Sequence, residues 1–338
     1  MISWTKVLLL SLLAPLVPLA QAAPAKATPY TYVRIGNTAD AGAVAMQGGT
    51  VLMGGSTDVD AAFQWMCSRS KGADFLIIRA TGTDAYNPYV QTLCSSAGAP
   101  TNSVATLIIP TAAAAADPRV AAIIQKAEAI WIAGGDQSDY INQWKGTAVQ
   151  TTLNARIAAG APVGGTSAGL NVLTQFIYTA QASKGVTSSQ ALLDPFNRYM
   201  SFDRDFSSVP ALAGVIGDPH FSARDRMGRD VAFLCRVYQA GWSAAPRAIA
   251  VDEETALLIG TDRSSTVVGK GNVYFLQAPA GGPQVCQAGQ PLTYLNIGIH
   301  RVAPNGNFNL GTWTGTGGLD YSISATRGAL TSTTGSIY

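Results

Sequence analysis

The sequence predicts an α/β fold of three layers around a mostly parallel sheet, with a β-rich C-terminal extension. Three observations predict it. Short apolar runs that read as buried strands alternate with stretches of helical spacing, the pattern of βαβ units. Glycine pairs at Gly54-Gly55, Gly134-Gly135 and Gly164-Gly165 sit where such strands end. Beyond Val251 the alternation gives way to a succession of strand-like runs.

The elements follow in order. Residues 23–50 are rich in Ala, Thr and Gly and read as a leader into the fold. Thr50 to Met53 is apolar and stops at Gly54-Gly55, Phe63 to Cys67 has helical spacing, and Phe75 to Arg79 reads as a buried strand. Val104 to Ile109 reads as another strand, Pro118 to Glu128 as a helix and Ala129 to Ile132 as a strand. Thr151 to Ala159 is helical, and Pro162-Val163 leads into a glycine-rich turn. Residues 183–215, with their Ser, Asp and Pro, read as a long loop or insertion. Thr266 to Val268, Asn272 to Leu276 and Leu295 to Ile299 read as strands, and the Gly- and Thr-rich stretch 311–338 as short strands or flexible chain.

Bulk properties bound the function. Of the 338 residues 47% are hydrophobic and 12% charged, enough apolar material for a sizeable core. A net charge of +2 without a Lys/Arg stripe excludes nucleic-acid binding, which needs basic residues massed on phosphates. Lys6, the apolar run Val7 to Ala20 and the small-residue site Ala20-Gln21-Ala22 have the layout of a secretory signal peptide, so residues 1–22 are expected to be removed and the protein exported, to the periplasm or beyond the cell. No later segment reads as a membrane span. Cys67, Cys94, Cys235 and Cys286 form an even set, as in disulfide-bonded exported chains, and proximity favours Cys67 with Cys94 and Cys235 with Cys286. With no Cys-x-x-Cys and only His220 and His300, no metal site is expected. No organic cofactor is expected either.

Gly165-Thr166-Ser167-Ala168-Gly169 matches G-x-S-x-G, a sharp strand-to-helix turn that lifts a serine hydroxyl above a sheet. The turn also aims the Ala168 N–H at the same spot, where it can stabilise an oxyanion. A serine hydroxyl needs a base. His220 lies in the most polar segment of the chain, just after the apolar run Leu212 to Ile216, whereas His300 lies in an alternating strand. Asp252, Glu253 and Glu254, at the end of another apolar run, are candidates to orient the imidazole, and spacing does not choose among them. Arg224, Arg226 and Arg229 could bind a carboxylate, as an exopeptidase requires, or could be a solvated helix start. In the turn after Ile132, Gly135 could complete an oxyanion hole and Gln137 could bond to substrate.

Together these segments resemble cyanophycinase and the related dipeptidase E group of serine peptidases. The carrying stretches are Gly134 to Gln137, Gly164 to Gly169, Asp218 to Arg229 and Val251 to Ala256, in the family's order. The resemblance implies a fold like class I glutamine amidotransferases, a peptidase domain over 23–310 and a tail over 311–338. It implies Ser167 as nucleophile, His220 as base and Glu253 as the carboxylate that orients it. Gly135 and Ala168 would form the oxyanion hole. Gln137, Asp218, Arg224, Arg226 and Arg229 would line the substrate pocket, with Asp218 and Gln137 meeting a guanidinium and the arginines meeting carboxylates. The implied partner is cyanophycin, cut to β-Asp-Arg dipeptides, or another aspartyl peptide; a homodimer is compatible with this reading.

Two features depart from the family pattern. Pro219 replaces the glutamine usual before the histidine, which bears on substrate, and the stretch from His220 to Glu253 is longer and contains Cys235. Two rival readings make distinct expectations. An α/β-hydrolase esterase would use the order Ser167, Asp252, His300. A secreted binding protein would keep the fold and leave Ser167 inert.

Overall fold

The computed structural model describes residues 1–2, 28–182 and 184–338. The expected leader over 1–22 therefore lies outside the described residues, apart from Met1 and Ile2. Among the described residues, no helix is long and apolar enough to cross a membrane.

The chain is mixed α/β, but its strands form two sheets rather than one, of ten and eight strands among the described residues. In spatial order the first sheet runs Thr31–Gly36, Ser103–Ile108, Asp74–Arg79, Ala129–Ile132, Val163–Thr166, Thr50–Met53, Thr255–Ile259, Ser264–Gly269, Asn307–Asn309 and Thr314–Thr316. Its core, from Ser103–Ile108 to Thr50–Met53, is parallel throughout. The flanks are antiparallel: Thr31–Gly36 pairs along Ser103–Ile108, and Thr255–Ile259 along Thr50–Met53. Three of the parallel strands are buried at every residue; Thr50–Met53 and Ala129–Ile132 read as apolar runs for that reason, whereas Val163–Thr166, with Gly164 and Gly165, reads as a turn.

Alternation along these strands divides the core. Val51, Met53, Phe75, Ile77, Ala129 and Trp131 face helices Asp60–Arg69 and Tyr86–Ser96. Phe63 anchors that layer, its ring centroid 4.5 Å from that of Trp131. Leu52, Leu76, Ile78, Ile130 and Ile132 point the other way, into a cluster with Ile124, Trp144 and Leu153 of the opposite helices. The expected helix–sheet–helix layering is thus present around the parallel core.

The second sheet runs Ala329–Ser332, Leu319–Thr326, Tyr294–Val302, Val273–Gln277, Arg247–Val251, Val215–Asp218, Phe176–Tyr178 and Phe202–Arg204. Arg247–Val251, Val215–Asp218 and Phe176–Tyr178 are parallel, and the remainder antiparallel. Ile249, Val251 and Phe275 join the cluster shared with the first sheet. Ala248, Ala250 and Tyr274 pack the other way, with helix Met227–Gln239. The stretch 183–215 is more than a loop. It holds helix Ser188–Leu193, opened by a capping box of Thr187 and Gln190, and strand Phe202–Arg204. Residues 311–338 supply three strands.

Two disulfides join Cys67 to Cys94 and Cys235 to Cys286, across Cα separations of 5.3 and 6.2 Å. They close spans of 27 and 51 residues. By loop-closure entropy each is expected to stabilise the fold by about 3–4 kcal/mol. Urea unfolding of Cys235→Ser/Cys286→Ser should therefore show a midpoint well below that of the parent, with a slope at least as steep because the unbridged denatured chain is more expanded. Coincident curves would contradict the estimate.

Candidate active site

The carboxyl ends of the parallel strands carry the site, as the α/β architecture leads one to expect. Strand Val163–Thr166 runs directly into Ser167, and helix Ala168–Leu173 starts on the next residue. Ser167 has φ 54° and ψ −113°, a conformation that side-chain-bearing residues adopt only under constraint. The constraint is packing. A Cβ on Gly165 would lie 2.6 Å from the Gly169 backbone, and one on Gly169 would lie 2.1 Å from the Ile132 carbonyl oxygen. Both glycines of the pattern are required because the helix start is pressed against the sheet.

His220 follows strand Val215–Asp218 and also has a positive φ, 51°. Its N–H donates to the Gly54 carbonyl at 2.8 Å. Its ring lies over Gly55, where a Cβ would come within 2.3 Å of the imidazole. The glycine pair after Thr50–Met53 is therefore the floor on which the histidine rests. Nε2 of His220 lies 2.8 Å from Ser167 Oγ, and Nδ1 lies 2.7 Å from Glu253 Oε1.

The three acids that spacing left open have different partners. Asp252 is buried and accepts from the backbone N–H groups of Ser222 and Asn272, at 2.9 and 3.0 Å. Glu254 adopts a left-handed conformation, donates its N–H to the Gly55 carbonyl at 2.9 Å, and pairs its side chain with Lys270. Glu253 alone of the three meets the imidazole. The esterase order is not assembled: His300 bonds to Asp320 at 2.7 Å, and Asp252 is committed to the loops it ties.

A cavity of about 230 Å³ opens beside Ser167 and His220. Gln137, Arg224, Arg226 and Arg229 line it, and Gly135 lies at its wall. Asp136, Asn171, Tyr178, Ala180, Ala182, Gly185 and Pro219 also line it. Gln137 donates to the Tyr178 carbonyl at 3.2 Å. Gly134 lies against Ser167, within 3.6 Å of its Cβ for an added side chain, so the loop after Ile132 flanks the serine. Ala168 opens its helix, and its N–H belongs to the first turn, which has no acceptor within the helix.

Asp218 departs from its expected role. It is fully buried and does not line the cavity. Arg229 grips its carboxylate with Nε at 2.8 Å and with a second guanidinium nitrogen, and Arg226 Nη1 lies at 3.3 Å. The carboxylate that was to meet a substrate guanidinium is instead a platform for two arginines. Arg226 also donates to the Pro219 carbonyl at 2.7 Å, and Arg229 stacks over Tyr178 and Phe233. Burial pushes the Arg226 guanidinium down to about 10, which leaves it charged at neutral pH. Arg224 is half exposed, with Nε 3.5 Å from Glu253.

Asn171, overlooked in the sequence, lies four residues after Ser167 and hence on the same helix face. It is buried, and its Oδ1 has no partner among the described residues. That spacing was a usable signal. Nothing in the sequence pointed to Tyr178 or the loop through Gly185.

Burial is the largest influence on His220 and holds its pKa below the ordinary value. The hydrogen bond to Glu253 acts in the opposite direction, while Arg224 and Arg226 push it further down. The imidazole is thus neutral, and able to accept a proton, through the neutral range. If His220 is the base, kcat/KM stays level there and falls only as the pH drops below the ordinary histidine value of about 6.5. An acid limb centred above about 7 would contradict this placement.

Residues 43–199 match peptidase family S51, a little under half of the chain; the match includes Gly135, Gln137, Ser167 and Ala168 and ends before His220. The chain is 28% identical over 192 residues to the cyanophycinase of Geminocystis herdmanii (strain PCC 6308). That similarity covers 55% of this chain and 64% of the length of that protein. In fold, the chain is similar to the crystal structure of a peptidase from an acI-B1 Actinobacterium, with a TM-score of 0.51, 15% identity, and coverage of 78% of this chain and 97% of the other. The comparisons point the same way: the segment 43–199, which carries Ser167, is similar to peptidase family S51, a family of serine peptidases.

Proposed function

We propose that the protein is an exported serine exopeptidase that hydrolyses cyanophycin to β-Asp-Arg dipeptides through Ser167, His220 and Glu253. The observation that supports this reading most is the unbroken run from Ser167 Oγ to His220 Nε2 and from His220 Nδ1 to Glu253 Oε1, at 2.8 and 2.7 Å.

The chemistry follows from that run. Ser167 Oγ attacks the scissile carbonyl as His220 Nε2 takes its proton. Glu253 accepts from Nδ1–H, fixes the tautomer and stabilises the imidazolium. The N–H groups of Gly135 and Ala168 receive the oxyanion. Collapse breaks the C–N bond, and His220 returns the proton to the leaving amine. Water, deprotonated by His220, then attacks the acyl-serine ester. The product acid leaves, and Ser167 regains its proton. Arg224, with Arg226 and Arg229 behind it, supplies positive charge for substrate carboxylates, and Gln137 adds a polar contact. A fold of the class I glutamine amidotransferase type belongs to the same reading.

A second reading of the substrate is favoured by one observation. Asp218 is spent on Arg226 and Arg229, and Pro219 has no side-chain donor or acceptor. Asp136 lines the cavity too, but its carboxylate caps helix Gln137–Trp144, accepting from the Ser138 N–H at 2.9 Å. This arrangement suits an aspartyl peptide without arginine. Incubation of the purified protein with cyanophycin, and separately with aspartyl dipeptides, tests both. Release of β-Asp-Arg supports the first reading. Hydrolysis of aspartyl dipeptides alone supports the second, and no hydrolysis of either overturns both.

A further inference from the structure

The stretch from His220 to Arg226 brings the imidazole, Arg224 and Arg226 to the cavity and then enters helix Met227–Gln239, which carries Arg229. No side chain at the N-cap position, Arg226, closes that helix. Ser188 accepts from its Arg229 N–H at 3.1 Å, and Tyr338 serves the first residue of the helix. Its hydroxyl oxygen accepts from the Met227 N–H at 2.9 Å, satisfying one of the donors that a helix start leaves without a partner. The same hydroxyl donates to Asp225 Oδ1 at 2.9 Å.

The contact extends beyond one hydroxyl. The Tyr338 ring meets Phe221 edge-to-face, with centroids 5.6 Å apart, and meets Tyr274 in the same manner at 6.1 Å. Tyr321 Oη donates to the Ile337 carbonyl at 3.0 Å, which ties the segment to strand Leu319–Thr326. Burial is the largest influence on the Tyr338 phenol and pushes it up; the Met227 N–H acts against this and the Asp225 carboxylate with it, so the phenol keeps its proton and donates at neutral pH. Asp225 itself is left-handed, with φ 48°, a conformation that needs support in a residue bearing a side chain.

We propose that Tyr338 is a positioning residue, a strap that holds the loop 221–226 and so sets Arg224 for substrate. The proposal rests on the reading of the cavity as the substrate site. It separates binding from proton transfer. His220 is held independently by the Gly54 carbonyl, Ser167 and Glu253. Arg224 has little beyond the loop backbone and its 3.5 Å approach to Glu253. Loss of the strap therefore raises KM and leaves kcat in place.

The test uses the full chain with Tyr338→Phe, which keeps the ring and removes the hydroxyl, beside Tyr338→Ala. In Tyr338→Phe, KM for the hydrolysed substrate is expected to rise about tenfold, the effect of one lost hydrogen bond, with kcat within about twofold. Amide hydrogen exchange over 221–229 rises with it, while exchange over the parallel core does not change. An unchanged KM, or a fall in kcat at constant KM, overturns the proposal, whatever Tyr338→Ala does to stability. If the parent hydrolyses neither cyanophycin nor aspartyl dipeptides, the functional reading has failed on its own. Exchange over 221–229 then decides the strap: faster exchange in Tyr338→Phe supports it, and unchanged exchange overturns it.

Discussion

Ser167→Ala is expected to lower kcat/KM by at least about a thousandfold, the scale on which loss of a nucleophile that works with a base is felt. Oγ stands above the sheet because the backbone at Ser167 is held at φ 54° by the contacts of Gly165 and Gly169, and its partner at 2.8 Å is His220. A methyl group keeps the turn and the packing, so thermal stability should be unaltered while turnover disappears. Steady-state kinetics and a melting curve on the same preparation check both parts. Residual activity within about tenfold of the parent would show that the hydroxyl does not carry the reaction.

Glu253→Gln is expected to cost about a thousandfold or more, for a different reason. Glu253 Oε1 lies 2.7 Å from His220 Nδ1, and a carboxylate can only accept there. That fixes the proton on Nδ1 and leaves Nε2 bare to receive the one from Ser167. An amide can turn its NH₂ group toward Nδ1, which moves the ring proton to Nε2 and blocks the transfer. The substitution also removes a charge 3.5 Å from Arg224, so KM is expected to change as well. The discriminating comparison is with Asp252→Asn and Glu254→Gln. Neither residue meets the imidazole, and both variants should retain kcat within about tenfold. A larger loss in Asp252→Asn than in Glu253→Gln would reassign the carboxylate.

The parts of this site that were legible in the sequence are those fixed by local backbone demands. Gly165 and Gly169 flank Ser167 because a Cβ at either position collides with backbone, and such a demand leaves a readable pattern. The histidine was legible because one of the two sits in a polar stretch after an apolar strand. The carboxylate was not, since Asp252, Glu253 and Glu254 are adjacent and the choice depends on a tight turn, with Glu254 left-handed, that sets Glu253 toward the ring. The role of Asp218 was equally out of reach. Whether a charge faces a cavity or two neighbouring arginines depends on where the helix carrying Arg229 begins.

Similar reasons apply to the fold. The parallel strands Thr50–Met53, Asp74–Arg79, Ser103–Ile108 and Ala129–Ile132 were legible because they are buried on both faces, whereas Val163–Thr166 was not, because two of its four residues are glycine. The two-sheet arrangement was not, because strands after Val251 look alike yet divide, Thr255–Ile259 joining the first sheet and Val273–Gln277 the second. Thr31–Gly36 is a half-exposed edge strand and reads as leader. In the Gly- and Thr-rich 311–338, the inward alternation of Tyr321, Ile323 and Ala325 was available as a strand signal and was masked by composition.

The measurement that bears most directly on the central claim is covalent labelling with a fluorophosphonate, with the adduct located by peptide mass spectrometry. The account predicts a single adduct on Ser167, formed far more slowly in His220→Ala and absent in Ser167→Ala. No adduct, or an adduct on another serine that persists in Ser167→Ala, would contradict it.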